Sequence, residues 1–145
     1  MTAPGTLAPR HLQWRYSALD LRPLPGAVPS ARLHARLVLL EHGHGAIAGT
    51  VELIVSELVT NAIAAAAGQD TETGPRPVQL RLLGGDRVVK IEVWDASDAM
   101  PPTGRDVGTE AESGRGLFLV DMLSDRWGAY PTRGGGKIVW SLVTR

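Results

Sequence analysis

The sequence predicts an α+β fold, a two-layer α/β sandwich in which a mixed, mainly antiparallel sheet is covered on one face by three helices. Apolar residues recur at helical spacing in three segments and alternate at strand spacing in others, and glycine-rich turns join consecutive strands. Consecutive strands therefore pair with one another, and the helices pack on one side of them. The 145 residues fit one domain, assigned to residues 11–145 after a flexible leader at residues 1–10.

Composition excludes several classes of function. The chain has 15 basic and 15 acidic residues, so no net charge attracts it to nucleic acid or to an anionic membrane. It has no cysteine, which excludes disulfides, cysteine-ligated zinc, iron–sulfur clusters and thiol catalysis. The N-terminus lacks a signal-peptide pattern and no apolar run approaches about 18 residues, so we expect a soluble cytoplasmic protein that binds neither membrane nor nucleic acid.

The N-terminal half is predicted to contain an edge strand and two helices. The strand lies within residues 11–21, before a proline-rich turn. Ser30 is in position to cap a first helix at about residues 30–42, and a second helix runs from about Ala46 to Ala67. Helical spacing connects Leu33, Leu37 and Leu40 in the first helix, and Ile47, Val51, Ile54, Leu58, Ala62 and Ala65 in the second.

The C-terminal half is predicted to contain two hairpins, separated by a long loop and a third helix. The loop at residues 96–113 has no sustained period, as is typical of a functional lid, and the helix runs from Gly114 to about Asp125. The last hairpin pairs residues 127–132 with residues 137–143. The alternating sets are Val78, Leu80 and Leu82, then Val89, Ile91 and Val93 after the turn Gly84–Gly85–Asp86, and Ile138, Trp140 and Leu142; the third helix presents Leu117, Val120 and either Leu123 or Ser124 as its inner stripe.

Glu57 and Asn61 lie one turn apart on the second helix, at the margin of its apolar face. Together they offer a base and a hard oxygen ligand, and a polar pair at the edge of a buried face is costly unless it binds something. The alternative is an exposed Glu–Asn pair on the rim of the helix, and spacing alone does not decide between the two.

Asp95 continues the inward register of the apolar strand before it, which would bury its carboxylate against the core. A buried carboxylate needs a hydrogen-bond donor, and the exocyclic amine of a purine together with a bridging water would supply one. The alternative is that the strand ends at Trp94 and that Asp95 begins a turn with Ser97.

Three further groups have more than one interpretation. Gly114–Arg115–Gly116 either exposes backbone N–H groups to a phosphate at a helix start or is a plain loop-to-helix junction. Lys137 either reaches a phosphate or, as we favour, caps a strand at the surface. His34, His42 and His44 with Glu41 form a candidate metal site, but His42 and His44 flank a glycine, a spacing that is more typical of a solvated loop.

Four stretches, taken in order, resemble one family: ELVTNA at 57–62, VWDASDAMPP at 93–102, GRGLFLV at 114–120 and GGKIVWSL at 135–142. Together they look like the GHKL nucleotide-binding fold, or Bergerat fold, shared by gyrase-type ATPases and histidine-kinase catalytic domains. Within it, the chain is similar to the stand-alone anti-sigma factor serine/threonine kinases of bacteria. The resemblance extends from about residue 12 to residue 143.

The resemblance implies a role for each motif. Glu57 would be the general base that orients a water or a substrate serine hydroxyl, and Asn61 would hold Mg²⁺ against the ATP phosphates. Asp95 would accept a hydrogen bond from the adenine amino group, and residues 96–113 would form the ATP lid. The other implied nucleotide-binding residues are Ser97, Gly114, Arg115, Gly116, Leu117 and Lys137. The chain departs from the family by having Ser97 and Ala99 at two glycine positions, and Ala64, Ala65 and Ala66 where a basic residue often stands.

The resemblance also implies an activity and partners. The chain would be a kinase that uses Mg-ATP to phosphorylate an anti-sigma factor antagonist while it sequesters a sigma factor, with a homodimer formed through helix one and the N-terminal strand. The departures leave two alternatives. One is a protein-binding module controlled by ATP or ADP without phosphoryl transfer, and the other is a domain that binds no nucleotide and acts through protein contacts alone.

Overall fold

Five strands form one open sheet in the computed structural model, which describes residues 14–67, 74–101 and 112–145 and, of residues 14 and 112–115, the backbone alone. The strands are β1 (Trp14–Leu21), β2 (Val78–Gly84), β3 (Val88–Asp95), β4 (Arg126–Pro131) and β5 (Lys137–Thr144). The helices are α1 (Ala27–Glu41), α2 (Ala48–Ala67), which follows a 3₁₀ turn at Gly45–Ile47, and α3 (Glu112–Leu123).

The strand order in the sheet is β1-β2-β3-β5-β4, and every neighbouring pair is antiparallel. The predicted two-layer α+β sandwich is confirmed, with the correction that the described sheet is antiparallel throughout rather than mixed. The reason is that β3 and β4, which α3 connects, run in the same direction but do not pair, because β5 lies between them and is antiparallel to both. The expectation that consecutive strands pair is therefore wrong for β3 and β4. The leader at residues 1–10 and residues 102–111 of the predicted lid lie outside the described residues.

The core lies between the sheet and α2. The inward residues predicted for β2 and β3 are all buried, because alternate side chains of a strand project to the same face. Helix α2 contributes eight buried residues and contacts α1, α3 and the sheet. The core residues of these three elements include Val78, Leu80, Leu82, Val89, Ile91 and Val93 in the strands, and Val51, Ile54, Val55 and Leu58 in the helix.

The stretch Gly45–Ala67 is long and apolar enough, by length and composition, to span a membrane, a property we find in one helix among the residues described. Glu52 and Glu57 interrupt this stretch, so it is not a continuous apolar run of that length. The apolar character has another physical reason, because α2 is covered on several sides by α1, α3 and the sheet. A helix surrounded by protein is apolar over most of its surface.

Helix α1 begins at Ala27, three residues before the predicted cap. Ser30 lies inside the first turn, where its hydroxyl donates to the carbonyl oxygen of Gly26 at 3.4 Å. Pro29 does not prevent this earlier start, because the N–H groups of a first turn have no partner within the helix. The prediction that Ser30 caps the helix is therefore wrong.

The three leucines that predicted α1 lie on its exposed side. Leu33 and Leu37 are each 56% exposed and Leu40 is 52% exposed. The buried face of α1 consists instead of Ala31, Ala35, Val38 and Leu39. Both faces of this helix are apolar, so helical spacing identifies the helix correctly but does not select the face that packs on the core.

Helix α3 begins at Glu112, two residues earlier than predicted, and ends at Leu123. Its inner stripe continues through Leu123, which packs against the core. Ser124 lies outside the helix, and its hydroxyl is 2.6 Å from the hydroxyl of Ser141 on β5. This hydrogen bond connects the end of α3 to the sheet.

The sheet face opposite the helices holds a second, smaller apolar cluster formed by Ile138, Trp140 and Leu142. Two charged residues on this face are also buried: Glu92 binds Lys90 at 3.1 Å and Arg81 at 2.9 Å. The long stems of lysine and arginine cover apolar neighbours while their charges are paired. The predicted alternation in β5 is thus correct, but its three residues face away from the helices.

His44 is 2% exposed, so the expectation of a solvated loop is wrong for this residue. Its Nε2 lies 2.9 Å from the hydroxyl of Tyr16, and the Tyr16 ring is stacked on His42 with 4.0 Å between ring centroids. The Tyr16 ring covers Gly84, where a Cβ would overlap it. Burial, followed by the charges of Arg145 and His42, lowers the pKa of His44 below its ordinary value.

A lowered pKa makes the fold sensitive to acid at His44. The imidazole has a pKa of about 6.5 in the unfolded chain and a lower one in the folded chain, so protons bind preferentially to the unfolded state as the pH falls. We expect the urea midpoint to be lower at pH 5.5 than at pH 7.5, and His44→Gln to reduce this difference. His42→Gln, at an exposed position, should retain most of it; an unchanged pH dependence in His44→Gln would contradict the assignment.

Candidate functional site

A cleft of about 200 Å³ lies between α2, α3 and the ends of β3 and β5. Its walls are mostly apolar, and its polar groups are few. This combination is typical of a site that holds a flat, largely uncharged group and orients it by a small number of hydrogen bonds. The lining residues are Leu58, Asn61, Ala62, Ala64, Ala65, Val93, Asp95, Ala99, Pro101, Leu117, Lys137 and Val139.

Asp95 and Lys137 form an ion pair in the wall of this cleft. They are cross-strand partners at the ends of β3 and β5, and the Lys137 Nζ lies 3.0 Å from the Asp95 Oδ1. Both are buried, with Asp95 2% exposed and Lys137 5% exposed. The preference for Lys137 as a surface cap is therefore wrong, because Lys137 shares the helix-facing side of β5 with Val139 rather than the opposite face with Ile138.

The prediction that Asp95 is buried in the register of β3 is confirmed, and the alternative that the strand ends at Trp94 is wrong, although the turn interaction with Ser97 that it included is present. The strand extends through Asp95 and buries its carboxylate, and the Asp95 Oδ1 also accepts the backbone N–H of Ser97 at 2.9 Å, which is a turn interaction. The Ser97 hydroxyl accepts the backbone N–H of Ala99 at 3.2 Å. Ser97 is buried but does not line the cleft, whereas Ala99 does. Ser97 therefore positions Asp95 from outside the cleft.

Glu57, Asn61 and Gly116 come together where α2 meets α3. A Cβ at Gly116 would lie 2.5 Å from the Glu57 Oε2 and 3.7 Å from the Asn61 Oδ1, so the missing side chain leaves room for both polar groups. Asn61 lines the cleft, whereas Glu57 lies against α3 outside the residues of its wall. Both are partly exposed, as the predicted position at the margin of the apolar face requires.

The glycines of α3 have different positions from those predicted. Because the helix starts at Glu112, Gly114 lies within its first turn, where backbone N–H groups have no acceptor in the helix. Gly116 is the fifth residue, whose N–H pairs with the first carbonyl in a regular helix, so it contributes through its missing side chain instead. The Arg115 side chain lies outside the described residues. Leu117 is buried, as predicted for the inner stripe of α3, and it lines the cleft.

Metal binding at this site would depend on few protein ligands. Among the described residues, no group of three or more histidine, cysteine, aspartate or glutamate side chains is arranged to hold a metal ion. His42 and His44 therefore belong to no such group. The Asn61 Oδ1 is a hard oxygen of the kind that Mg²⁺ accepts, and Mg²⁺ in nucleotide sites takes most of its remaining ligands from phosphate and water.

The turn between β4 and β5 contacts the backbone of Asp95. Gly136 has φ of +80°, and a Cβ there would overlap the Asp95 carbonyl oxygen. Its N–H donates to the Asp98 Oδ1 at 3.1 Å. The Trp94 Nε1 donates to the Thr132 Oγ1 at 3.1 Å. These contacts hold in place the strand ends that carry Asp95 and Lys137. In the sequence, the motif GGK at residues 135–137 indicates this turn.

Comparison with known families supports an ATPase-type site. A family model described as "Histidine kinase-like ATPase domain" matches residues 21–141, which is most of the chain. The matched segment contains all of the candidate site residues. No curated protein matches the chain.

Gly136→Ala should destabilise the protein through the backbone of Asp95. The substitution places a methyl group against a carbonyl oxygen and requires a left-handed conformation of alanine, so we expect the free energy of unfolding to fall by more than about 1 kcal/mol. Gly134→Ala is the matched control, because no atom lies within 4 Å of its Cβ position, and it should change stability by less than about 0.5 kcal/mol. Equal urea midpoints for the two variants would refute this account of the turn.

Proposed function

Because the chain belongs to the family of histidine kinase-like ATPase domains, we propose that it binds ATP in the cleft between α2, α3 and the sheet. The observation that carries this proposal is the convergence of Asn61, Asp95, Leu117 and Lys137, which are far apart in the sequence, on one apolar cleft. The base would lie between the apolar walls beside Asp95, and the phosphates would extend toward Asn61 and Gly114.

Each polar residue has a separate task in this proposal. Asn61 presents a carboxamide oxygen that would hold Mg²⁺, and the first turn of α3 presents free N–H groups to the phosphates. Mg²⁺, when bound, supplies charge neutralisation for phosphoryl transfer. Glu57 lies one turn from Asn61 and its carboxylate is in reach of a hydroxyl or water placed between the two helices, from which it would accept a proton.

We further propose that the acceptor is a serine hydroxyl of another protein, so that the chain is a protein-serine/threonine kinase. The four-motif resemblance to the anti-sigma factor kinases supports this proposal. As such a kinase, the protein would be cytoplasmic and would have two partners, a sigma factor and an anti-sigma factor antagonist. The partly exposed Glu57 supports the choice of a macromolecular acceptor, because this residue lies outside the lining of the cleft and is not fully buried.

A second candidate function is a nucleotide-dependent binding module without phosphoryl transfer. One observation favours it: Asp95 and Lys137 form an ion pair, so neither residue contributes a net charge that would stabilise phosphoryl transfer. Ala64 and Ala65 line the cleft and carry no charge for a phosphate. Binding without catalysis requires fewer correctly placed groups. A turnover assay distinguishes the two functions, because only the kinase transfers phosphate.

The exposed leucines of α1 support an interface between two copies of the chain. Leu33, Leu37 and Leu40 form an apolar stripe that is more than half exposed along one side of the helix. A stripe of this kind is complementary to itself across a two-fold axis, which is the commonest symmetry of protein dimers. We propose a homodimer that buries this stripe.

The test of ATP binding uses Asn61→Ala and Glu57→Gln. Titration calorimetry with Mg²⁺ and a non-hydrolysable ATP analogue should give binding to the parent, and at least about ten-fold weaker binding to Asn61→Ala, because a ligand of the metal is lost. Alanine preserves the helix. Glu57→Gln should retain affinity but lose about 10²- to 10⁴-fold in phosphate transfer to the antagonist protein.

The outcomes distinguish the candidate functions. Absence of binding to the parent at millimolar nucleotide would eliminate both nucleotide-dependent functions. Binding with equal turnover in the parent and Glu57→Gln would remove the general-base role of Glu57. Binding with no transfer to any serine acceptor would support the module instead of the kinase.

The homodimer is tested by replacing Leu33 and Leu37 together with serine. Both positions are exposed, so we expect the free energy of unfolding to change by less than about 1 kcal/mol, while the dimer dissociates to a monomer in light-scattering measurements. Arg32→Ala on the same helix is the control and should leave the dimer intact. A parent protein that is monomeric at tens of micromolar would contradict the interface.

A further inference from the structure

Lys137 lies in the wall of the cleft, where the family resemblance implied a nucleotide-binding role but not which part of the nucleotide it contacts. Its ammonium is buried, lines the cleft and binds the Asp95 Oδ1 at 3.0 Å. We propose that Lys137 is a specificity-determining residue that contacts the nucleobase: it donates to a ring nitrogen next to the exocyclic amine, while Asp95 accepts from that amine. This inference rests on the proposed binding of ATP and adds a direct base contact to it.

Among the described residues, the hydrogen-bonding capacity of the pair is only partly used. An ammonium group has three N–H donors, and the described residues provide one acceptor for the Lys137 Nζ, the Asp95 Oδ1. That oxygen also accepts the N–H of Ser97, so it has two donors. No donor among the described residues binds the Asp95 Oδ2. The pair therefore presents spare donors and a spare acceptor side by side at the wall of the cleft.

The surroundings of the pair favour a neutral base over a phosphate. Apart from Asn61, the other residues of the cleft wall are apolar and carry no charge, and the charges of Asp95 and Lys137 cancel. If the ammonium moved to a phosphate, the buried carboxylate would lose its counter-ion, which is strongly unfavourable. The ends of β3 and β5 hold the pair on the sheet side of the cleft, whereas Asn61 and the first turn of α3 lie in the helical layer.

The adenine edge matches this arrangement. Its exocyclic amine is a donor, and each of the ring nitrogens beside it, N1 and N7, is an acceptor. A carboxylate next to an ammonium presents the complementary order of acceptor and donor. Hydrogen bonds to charged groups are stronger than those between neutral groups, so loss of the correct ring nitrogen should weaken binding about 10- to 100-fold.

The experiment removes the partners on both sides of the contact. Calorimetry compares ATP with 1-deaza-ATP and 7-deaza-ATP, on the parent and on Lys137→Met. We expect one analogue to bind the parent about 10- to 100-fold more weakly than ATP, and to bind Lys137→Met as tightly as ATP does. Lys90→Met is the matched control, because this lysine is also buried in an ion pair but lies on the opposite face of the sheet, and it should retain the discrimination.

A second variant is needed if Lys137→Met unfolds the protein by leaving the buried Asp95 carboxylate without its counter-ion. Asp95→Asn/Lys137→Met removes both charges together, and thermal melting verifies that it is folded. It should bind ATP and both analogues equally. Adenosine provides a further comparison: loss of Lys137 should weaken adenosine and ATP by the same factor if the contact is to the base.

The affinities of the analogues and of adenosine decide between a base contact, a phosphate contact and no nucleotide binding. If neither analogue loses affinity for the parent, or if the same loss persists in the Lys137 variants, the proposed base contact is wrong while ATP binding stands. A larger loss for ATP than for adenosine in Lys137→Met would assign the lysine to the phosphates and also overturn the proposal. If the parent binds neither ATP nor adenosine, the proposed function fails, and this inference fails with it.

Discussion

The structure of the site depends on one constraint, the burial of the Asp95 carboxylate at the end of an otherwise apolar strand. A buried carboxylate requires donors, and Lys137 and the Ser97 N–H provide them at 3.0 and 2.9 Å. Lys137 reaches Asp95 because the register of β3 and β5 makes these two residues cross-strand partners. The register is in turn fixed at the adjoining turn, where Gly136 contacts the Asp95 backbone.

Helix α2 packs against both the sheet that carries Asp95 and the helix α3 on the other side of the cleft. One side of the helix supplies much of the core, and its margin carries Glu57 and Asn61 to the junction with α3. The same packing that stabilises the fold therefore sets the distance between the sheet side of the cleft and its helical side. Gly116 completes the junction, since a side chain there would occupy the space of the Glu57 carboxylate.

The charge balance of the cleft has a functional consequence. The ion pair contributes no net charge, and Ala64 and Ala65 contribute none, so the described residues that line the cleft have no unpaired cationic side chain. In the proposed binding mode, the backbone N–H groups of the first turn of α3, the helix dipole and Mg²⁺ would attract the phosphates at the end of the cleft away from Asp95. The proposed base contacts and phosphate contacts would thus be separated in space.

The sequence alone determined the α+β class, the order of the elements, the inward register from Val89 to Asp95 and the shared helix face of Glu57 and Asn61, because these depend on local periodicity. Only the tertiary structure decided which apolar face of α1 is buried, that His44 lies inside, and that Lys137 pairs with Asp95. The leucines that indicated α1 and the alternating apolar residues of β5 lie on faces that do not contact the helix–sheet core. Periodicity therefore predicted where these elements are in the chain, but not which of their faces is buried in that core. Orientation and pairing depend on contacts between segments far apart in the chain, which no local pattern contains.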